Sequence, residues 1–127
     1  MVYATDFEQA DIFAINKLVR IAKKFNALIR IVHISTPGEY AGDQQMEWFK
    51  EMLKQKVIHG KMEFDLILEE DIFIGLTKYL DKSNARLFAM LERKDSSFYQ
   101  RFLKTDKVKK MISDTTIPLI SFNVGGL

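Results

Sequence analysis

The chain has no cysteine, two prolines and six glycines in 127 residues. Without cysteine it can form neither a disulfide nor a thiolate nucleophile or metal ligand. Its 19 basic and 17 acidic residues nearly balance, and because they are interleaved the sequence shows no nucleic-acid footprint. No apolar run is long enough to span a bilayer, and no signal peptide is recognisable. We therefore expect a cytoplasmic protein without nucleic-acid or membrane partners.

The composition is sufficient for one hydrophobic core, because 47% of the 127 residues are hydrophobic. We predict a single domain, residues 1–127, in which strands alternate with amphipathic helices. The predicted strands are 2–4, 29–34, 62–68, 86–91 and 118–122, and the predicted helices are 6–25, 43–57, Ile72 to Leu80 and 98–113. Such alternation is typical of a doubly wound, five-stranded parallel α/β sheet with helices on both faces. Pro118 favours an edge position for the last strand, because proline lacks a ladder donor.

The first predicted helix has one apolar stripe, and Asp6 stands at its start as an N-cap or first-turn carboxylate. Asp6 also follows the first strand directly, and residues at the carboxyl ends of parallel strands face the ligand crevice. The predicted stripe comprises Ala10, Phe13, Ala14, Leu18, Ile21, Ala22 and Phe25.

Three short motifs give the chain a family resemblance. Residues 2–7 read Val-Tyr-Ala-Thr-Asp-Phe, residues 31–34 read Ile-Val-His-Ile, and residues 117–120 read Ile-Pro-Leu-Ile. In order and spacing they resemble the first, second and last strands of the universal stress protein family. The resemblance implies that family's adenine nucleotide alpha hydrolase-like fold. The start within the first strand suggests a short form or one half of a tandem protein.

Many members of the family bind ATP through three glycines and a serine or threonine between the fourth strand and the last helix. Counting back from Pro118 places these positions on Glu92, Asp95, Thr105 and Asp106, and no glycine occurs from Leu76 to Val124. Side chains there obstruct the close backbone approach that phosphates need, and three carboxylates would repel them. We therefore expect no ATP binding and no cofactor.

The part of the pocket that would hold the base and sugar is better preserved. The resemblance implies that an aspartate and an aliphatic residue frame these groups, and they correspond to Asp6 and Ile34. A small molecule without phosphates can still be accommodated in such a pocket. The predicted remnant of the nucleotide site consists of Asp6, Ile34, Glu92, Asp95, Thr105 and Asp106.

The resemblance also implies pairing through the last strand, as a homodimer or with a second copy of the domain. The last strand is apolar, and an apolar edge strand that nothing covers is prone to aggregation. A second copy of the domain would cover this edge. The predicted dimer edge is formed by Pro118, Leu119, Ile120 and Phe122. The expected function is a non-ATP-binding, dimeric regulatory or interaction module in a stress response. The alternative is a sensing domain that binds a small ligand in a remodelled pocket.

Other readings carry less support from the residues. A phospho-receiver domain needs an acceptor aspartate at the end of the third strand, where Glu69 and Glu70 stand. Acidic residues at several strand ends could converge on magnesium, but a solvated rim that starts helices explains them better. No nucleophile and base pair, and no histidine or cysteine metal spacing, is present, so we predict no enzyme, no catalytic residue and no metal.

Overall fold

The computed structural model describes residues 1–38, 42–92, 117–123 and 125. Within them are five strands and three helices. The strands are β1 (Val2–Ala4), β2 (Ile29–Ser35), β3 (Met62–Leu68), β4 (Phe88–Glu92) and β5 (Leu119–Asn123), and the helices are α1 (Gln9–Lys24), α2 (Gly42–Lys56) and α3 (Ile72–Lys82). The helix predicted over residues 98–113 lies outside the described residues. No described helix combines the length and the apolar character that a membrane crossing requires.

The five strands form one parallel sheet in the order β3-β2-β1-β4-β5. This confirms the predicted α/β fold and the edge position of the last strand. The phospho-receiver alternative is wrong, because that fold places its second strand at the edge and its third beside the first.

Helices cover both faces of the sheet. On one face α1 and α2 pack against side chains such as Tyr3 and Ile31. On the other face α3 packs against Val2, Val32 and Phe88. Because successive side chains of a strand point to opposite faces, the central strands are apolar on both sides, as a sheet covered twice requires.

The predicted stripe of α1 is wrong in part. The helix begins at Gln9 rather than Asp6, and its N-cap residue is Glu8. Phe13 and Phe25 are 49% and 73% exposed. The buried positions of α1 are Asp11, Ile12, Ala14, Ile15, Leu18, Val19 and Ala22. The buried face is therefore rotated toward Ile12, Ile15 and Val19, and it includes a carboxylate.

The other helices agree better with their patterns. The apolar residues that recur at helical spacing in and directly after α2 are all buried: Met46, Phe49, Leu53 and Val57. Asp71 caps α3, since its Oδ1 accepts hydrogen bonds from the Phe73 and Ile74 amides at 2.8 and 3.2 Å. Such caps satisfy amides that have no partner within the helix.

Two strands begin later than predicted. β4 starts at Phe88 and β5 at Leu119. Pro118 precedes β5, and its carbonyl accepts a hydrogen bond from the Phe88 amide at 2.9 Å. Pro118 thus joins the ladder through its carbonyl oxygen. Its missing N–H group breaks no ladder hydrogen bond, because the residue stands directly before the edge strand.

Candidate functional site

The predicted crevice lies at the carboxyl ends of β1, β2 and β4. Ala4 pairs in register with Val32 on one side and Met90 on the other. Asp6 and Ile34 line the same small cavity beyond these pairs, and Glu92 is the last residue of β4. The other three predicted site residues, Asp95, Thr105 and Asp106, lie outside the described residues.

Asp6 itself is an exposed residue of the loop between β1 and α1. It is not the cap of α1, contrary to the sequence-based expectation, because Glu8 occupies that place. The acidic group that organises the loop is Asp11, in the first turn of the helix, which is only 2% exposed. The buried carboxylate of Asp11 therefore holds the loop from the core side, whereas Asp6 is exposed to solvent.

Asp11 accepts four hydrogen bonds. Its Oδ1 accepts from the Tyr3 hydroxyl at 2.6 Å, and its Oδ2 accepts from the Thr5 hydroxyl at 3.0 Å. The amides of Asp6 and Glu8 also donate to Oδ2, at 3.3 and 3.0 Å. A single carboxylate therefore ties β1, the loop and α1 together, which leaves the buried hydroxyls satisfied.

Burial is the main cause of the shifted pKa values of Asp11 and Tyr3. Desolvation raises the pKa of Asp11 above its ordinary value, although the four hydrogen bonds partly oppose the shift. Burial and the neighbouring carboxylate of Asp11 likewise raise the pKa of Tyr3. Both shifts follow from the cost of placing a charge in a poorly solvated site.

The sequence analysis missed Asp11. Its signal was indirect. Tyr3 in β1 and Thr5 directly after β1 are two residues apart, so their hydroxyls lie on the same side of the chain, and buried hydroxyls need a partner. A carboxylate one turn into the following helix supplies it.

Phe7 gives the loop its shape. It has a φ of 60°, in the left-handed region that is costly for a residue with a side chain. The conformation is held by a hydrogen bond from its amide to the Thr5 hydroxyl at 3.0 Å. The ring is 7% exposed and lies 4.1 Å from the His33 ring and 5.7 Å from the Phe49 ring. The Phe7 ring therefore packs into the core on the face of the sheet that α1 and α2 cover.

His33 is part of this packing. Its Nδ1 lies 2.6 Å from the Thr5 carbonyl oxygen. Because a carbonyl only accepts, Nδ1 carries the proton of this bond. The ring is 6% exposed and lies within the core.

On the opposite face, the described residues leave little space beside Ile34. Ile34 is buried, and the cavity beside it has a volume of about 20 Å³. Its described lining is formed by Ala4, Thr5, Asp6, Val32, Ile34, Ile72 and Leu76. A space of this size holds about one water molecule, whereas sites for drug-sized ligands measure roughly 300 to 1,000 Å³.

The small size of this cavity results from the close approach of α3 to β2. A Cβ built on Gly75 would lie 2.9 Å from Cγ2 of Ile34 and 3.0 Å from Cβ of Glu69. Only a glycine lets the helix backbone reach this position. Ile72 and Leu76, on the same helix, then occupy the space in front of Ile34.

A larger depression, the α3 trough, lies between α3 and the edge strand β3 and has a volume of about 730 Å³. Arg30 on its floor forms an ion pair with Glu63 at 2.8 Å. The Tyr79 hydroxyl donates to Asp65 at 2.5 Å. The described lining is Arg30, Asp65, Ile67, Glu69, Gly75, Lys78, Tyr79, Lys82, Ser83 and Asn84. The sequence analysis did not anticipate this site.

The acidic residues near the strand ends do not form a metal centre in the described part of the chain. No group of three or more histidine, aspartate or glutamate side chains there could hold a metal ion. The alternative of a magnesium site would require such convergence.

Comparison with known structures identifies the architecture. A universal stress protein solved in complex with cAMP gives a TM-score of 0.69 at 17% identity, covering 97% of this chain and 94% of its own. A universal stress protein from Archaeoglobus fulgidus gives 0.64 at 15% identity, with 94% and 90% covered. One from Archaeoglobus fulgidus DSM 4304 gives 0.62 at 18% identity, with 96% of this chain and 42% of that chain covered.

No protein-family model and no curated protein sequence matches the chain. The likeness therefore lies in the fold, at identities of 15 to 18%. The element order, the parallel sheet and the edge position of the last strand agree with the resemblance carried by the three sequence motifs. The chain has the fold of the universal stress proteins.

Proposed function

We propose that the chain is a universal stress protein-like domain of the non-ATP-binding class. In this proposal it acts in a stress response as a dimeric regulatory or interaction module, and it binds a partner rather than catalysing a reaction. The observation that carries the proposal is the uncharged outer edge of β5, which suits pairing with a second copy.

The two edges of the sheet differ in charge. Leu119–Asn123, the residues of β5, include no charged side chain, and Leu119, Ile120 and Phe122 are half-buried. At the other edge, β3 carries Glu63 and Asp65. Charged side chains discourage pairing between edge strands. Among the described strands β5 pairs only with β4, so its outer edge suits an isologous contact.

The register shows which backbone groups of β5 face outward. Because the Phe88 amide donates to the Pro118 carbonyl, the parallel pattern turns alternate residues of β5 toward β4. The backbone groups of Leu119, Ser121 and Asn123 then face away from β4. A proline at Ser121 would remove an outward donor and leave the bonds to β4 intact.

We expect the wild-type protein to sediment as a dimer at tens of micromolar and Ser121→Pro to sediment as a monomer. Leu68→Pro is the matched control, because the bond from the Glu69 amide to the Ser35 carbonyl places the amide of Leu68 on the outer side of β3. It should remain dimeric. Analytical ultracentrifugation checks both variants. A monomeric wild type, or a dimer broken equally by both prolines, contradicts the pairing proposal.

The small cavity that the described residues leave beside Ile34 supports the absence of ATP binding. Its volume of about 20 Å³ is too small for a nucleoside, and a carboxylate, Glu92, ends the neighbouring strand β4. We expect titration calorimetry to detect no saturable binding of ATP or cAMP up to millimolar concentration. cAMP is included because the similar protein was solved with it. Stoichiometric binding of either nucleotide overturns this part of the proposal.

A small-ligand sensing function is the second candidate, and the α3 trough favours it. Its volume of about 730 Å³ falls within the range of ligand sites. Native mass spectrometry of the freshly purified protein tests this function. A retained small molecule that Tyr79→Phe/Arg30→Gln releases would support sensing through the trough, and its absence would favour the interaction module.

A further inference from the structure

Among the described residues, the two ends of the sheet carry opposite charge, although the net charge of the chain is only +2. The loops at the carboxyl end contain acidic residues and, in the described stretches 5–8, 36–38 and 69–71, no lysine or arginine. The acidic residues at this end are Asp6, Glu8, Asp43, Glu69, Glu70, Asp71 and Glu92.

The opposite end, where the strands begin, is basic. We call it the basic end, and its cations are Lys23, Lys24, Lys54, Lys56, Lys61, Lys82 and Arg86. No aspartate or glutamate occurs from Ile12 to Gly38 or from Met52 to Met62. Two of these cations have acidic neighbours, because Lys54 pairs with Glu51 at 3.4 Å and Asp81 precedes Lys82.

Two loops of the basic end are joined. The α1–β2 loop and the α2–β3 loop meet where His59 Nε2 lies 3.0 Å from the Ala27 carbonyl oxygen. The Lys61 ammonium donates to the Asn26 carbonyl at 3.3 Å. These contacts place the two loops side by side as one surface.

Each of these loops exposes a large apolar side chain. Phe25 is 73% exposed and Ile58 is 84% exposed. Lysines at helix ends are explained by the negative end of the helix dipole, but that explanation does not extend to an exposed phenylalanine and isoleucine. Apolar side chains surrounded by lysines are typical of surfaces that lie on anionic bilayers, where cations meet headgroups and apolar groups enter the interface.

We propose that the basic end is a docking surface for an anionic lipid bilayer. Lys23, Lys24 and Lys61 contact the headgroups, and Phe25 and Ile58 enter the boundary between headgroups and acyl chains. This proposal departs from the sequence-based expectation of no membrane partner, because the surface exists only after folding brings the two loops together. It does not depend on the function proposed above.

The test is co-sedimentation of the full chain with vesicles of phosphatidylcholine alone and of phosphatidylcholine mixed with phosphatidylglycerol. We expect binding to the mixed vesicles only, weakened by added salt because screening reduces surface attraction. Phe25→Ser/Ile58→Ser should weaken binding at least about tenfold, and Lys23→Gln/Lys24→Gln/Lys61→Gln should abolish it.

Matched controls come from the acidic end. Leu68 is 79% exposed there, and Leu68→Ser removes a comparable apolar side chain. Lys78→Gln removes an exposed cation near the same end. Both should bind vesicles as the wild type does. All substituted side chains are exposed, so circular dichroism should show unchanged folding.

Three results would overturn the proposal. They are no binding to the mixed vesicles at low salt, binding that persists in Phe25→Ser/Ile58→Ser, and equal loss in the two controls. A parallel titration with single-stranded RNA separates a second class of partner. Binding to RNA that needs the lysines but not Phe25 and Ile58, without vesicle binding, would assign the basic end to a polyanion in place of a bilayer.

Discussion

At the scale of single residues, Asp11 does most to fix the start of the chain. Its carboxylate accepts from two buried hydroxyls and two loop amides. From its position in the first turn of a helix, an aspartate is expected at the surface, where its charge complements the helix dipole. Tertiary packing overrides that preference here, because Tyr3 and Thr5 would otherwise be buried without partners.

We expect Asp11→Ala to lower the free energy of unfolding by at least about 3 kcal/mol, since several donors lose their acceptor at about 1–3 kcal/mol each. Asp11→Asn is the matched control. Its amide oxygen can keep the three donors of Oδ2, and its NH₂ group can donate to the Tyr3 oxygen. Only the Tyr3 hydroxyl proton loses its acceptor, so Asp11→Asn should cost about 1–3 kcal/mol and less than Asp11→Ala. Urea unfolding measures both, and equal stability of the two variants would refute the role of Asp11.

The raised pKa of Asp11 also predicts a pH dependence. A carboxyl whose folded pKa exceeds its unfolded value stabilises the fold below the unfolded value, about 4, and that contribution disappears as pH rises through the folded pKa. The stability of the wild type relative to Asp11→Asn should therefore decline from acidic toward neutral pH. Urea midpoints measured across this range check the sign, and a constant difference would show that Asp11 does not titrate on unfolding.

At the scale of elements, the sequence patterns predicted the helix α2 and the strand β3 well. Met46, Phe49, Leu53 and Val57 recur at helical spacing and are all buried. α1 was harder, because Phe13 and Phe25 are hydrophobic enough to suggest core positions yet stand 49% and 73% exposed. Hydrophobicity alone cannot tell a core side chain from an exposed one at the border of a stripe.

The candidate site was predictable only in its position. The carboxyl ends of parallel strands locate a crevice, and Asp6, Ile34 and Glu92 lie near such ends. Their role in binding a ligand stays a prediction. That α3 fills the space beside Ile34 depends on the distance between a helix and a strand far apart in the chain. Gly75 carried the signal, since a glycine within a helix pattern often marks a close approach.

We expect Gly75→Ala to destabilise the protein by about 1–2 kcal/mol, although alanine is normally the better helix former. The added Cβ would lie 2.9 Å from Ile34 Cγ2 and 3.0 Å from Glu69 Cβ, so helix and strand must separate. Gly60→Ala is the control, because nothing lies within 4 Å of a Cβ there. Thermal unfolding compares them. A higher melting temperature for Gly75→Ala would mean that α3 shifts without cost.

At the scale of the whole molecule, the sheet separates charges that the sequence interleaves. The acidic end gathers carboxylates without bringing three of them together in the described part of the chain. We therefore expect millimolar magnesium or calcium to leave the melting temperature unchanged, because a ligand stabilises only through a site that it occupies. A saturable rise in melting temperature with either ion would show that a cation site exists.

The charge separation gives the described part of each copy an electric dipole directed along its strands. If two β5 strands pair antiparallel about a two-fold axis normal to the sheet, the lysine-rich end of one copy lies beside the carboxylate-rich end of the other. The two dipoles then oppose and cancel, which favours the pair at low ionic strength. Such a dimer presents Phe25 and Ile58 at both poles, so it can bridge two anionic surfaces, whereas a monomer attaches to one.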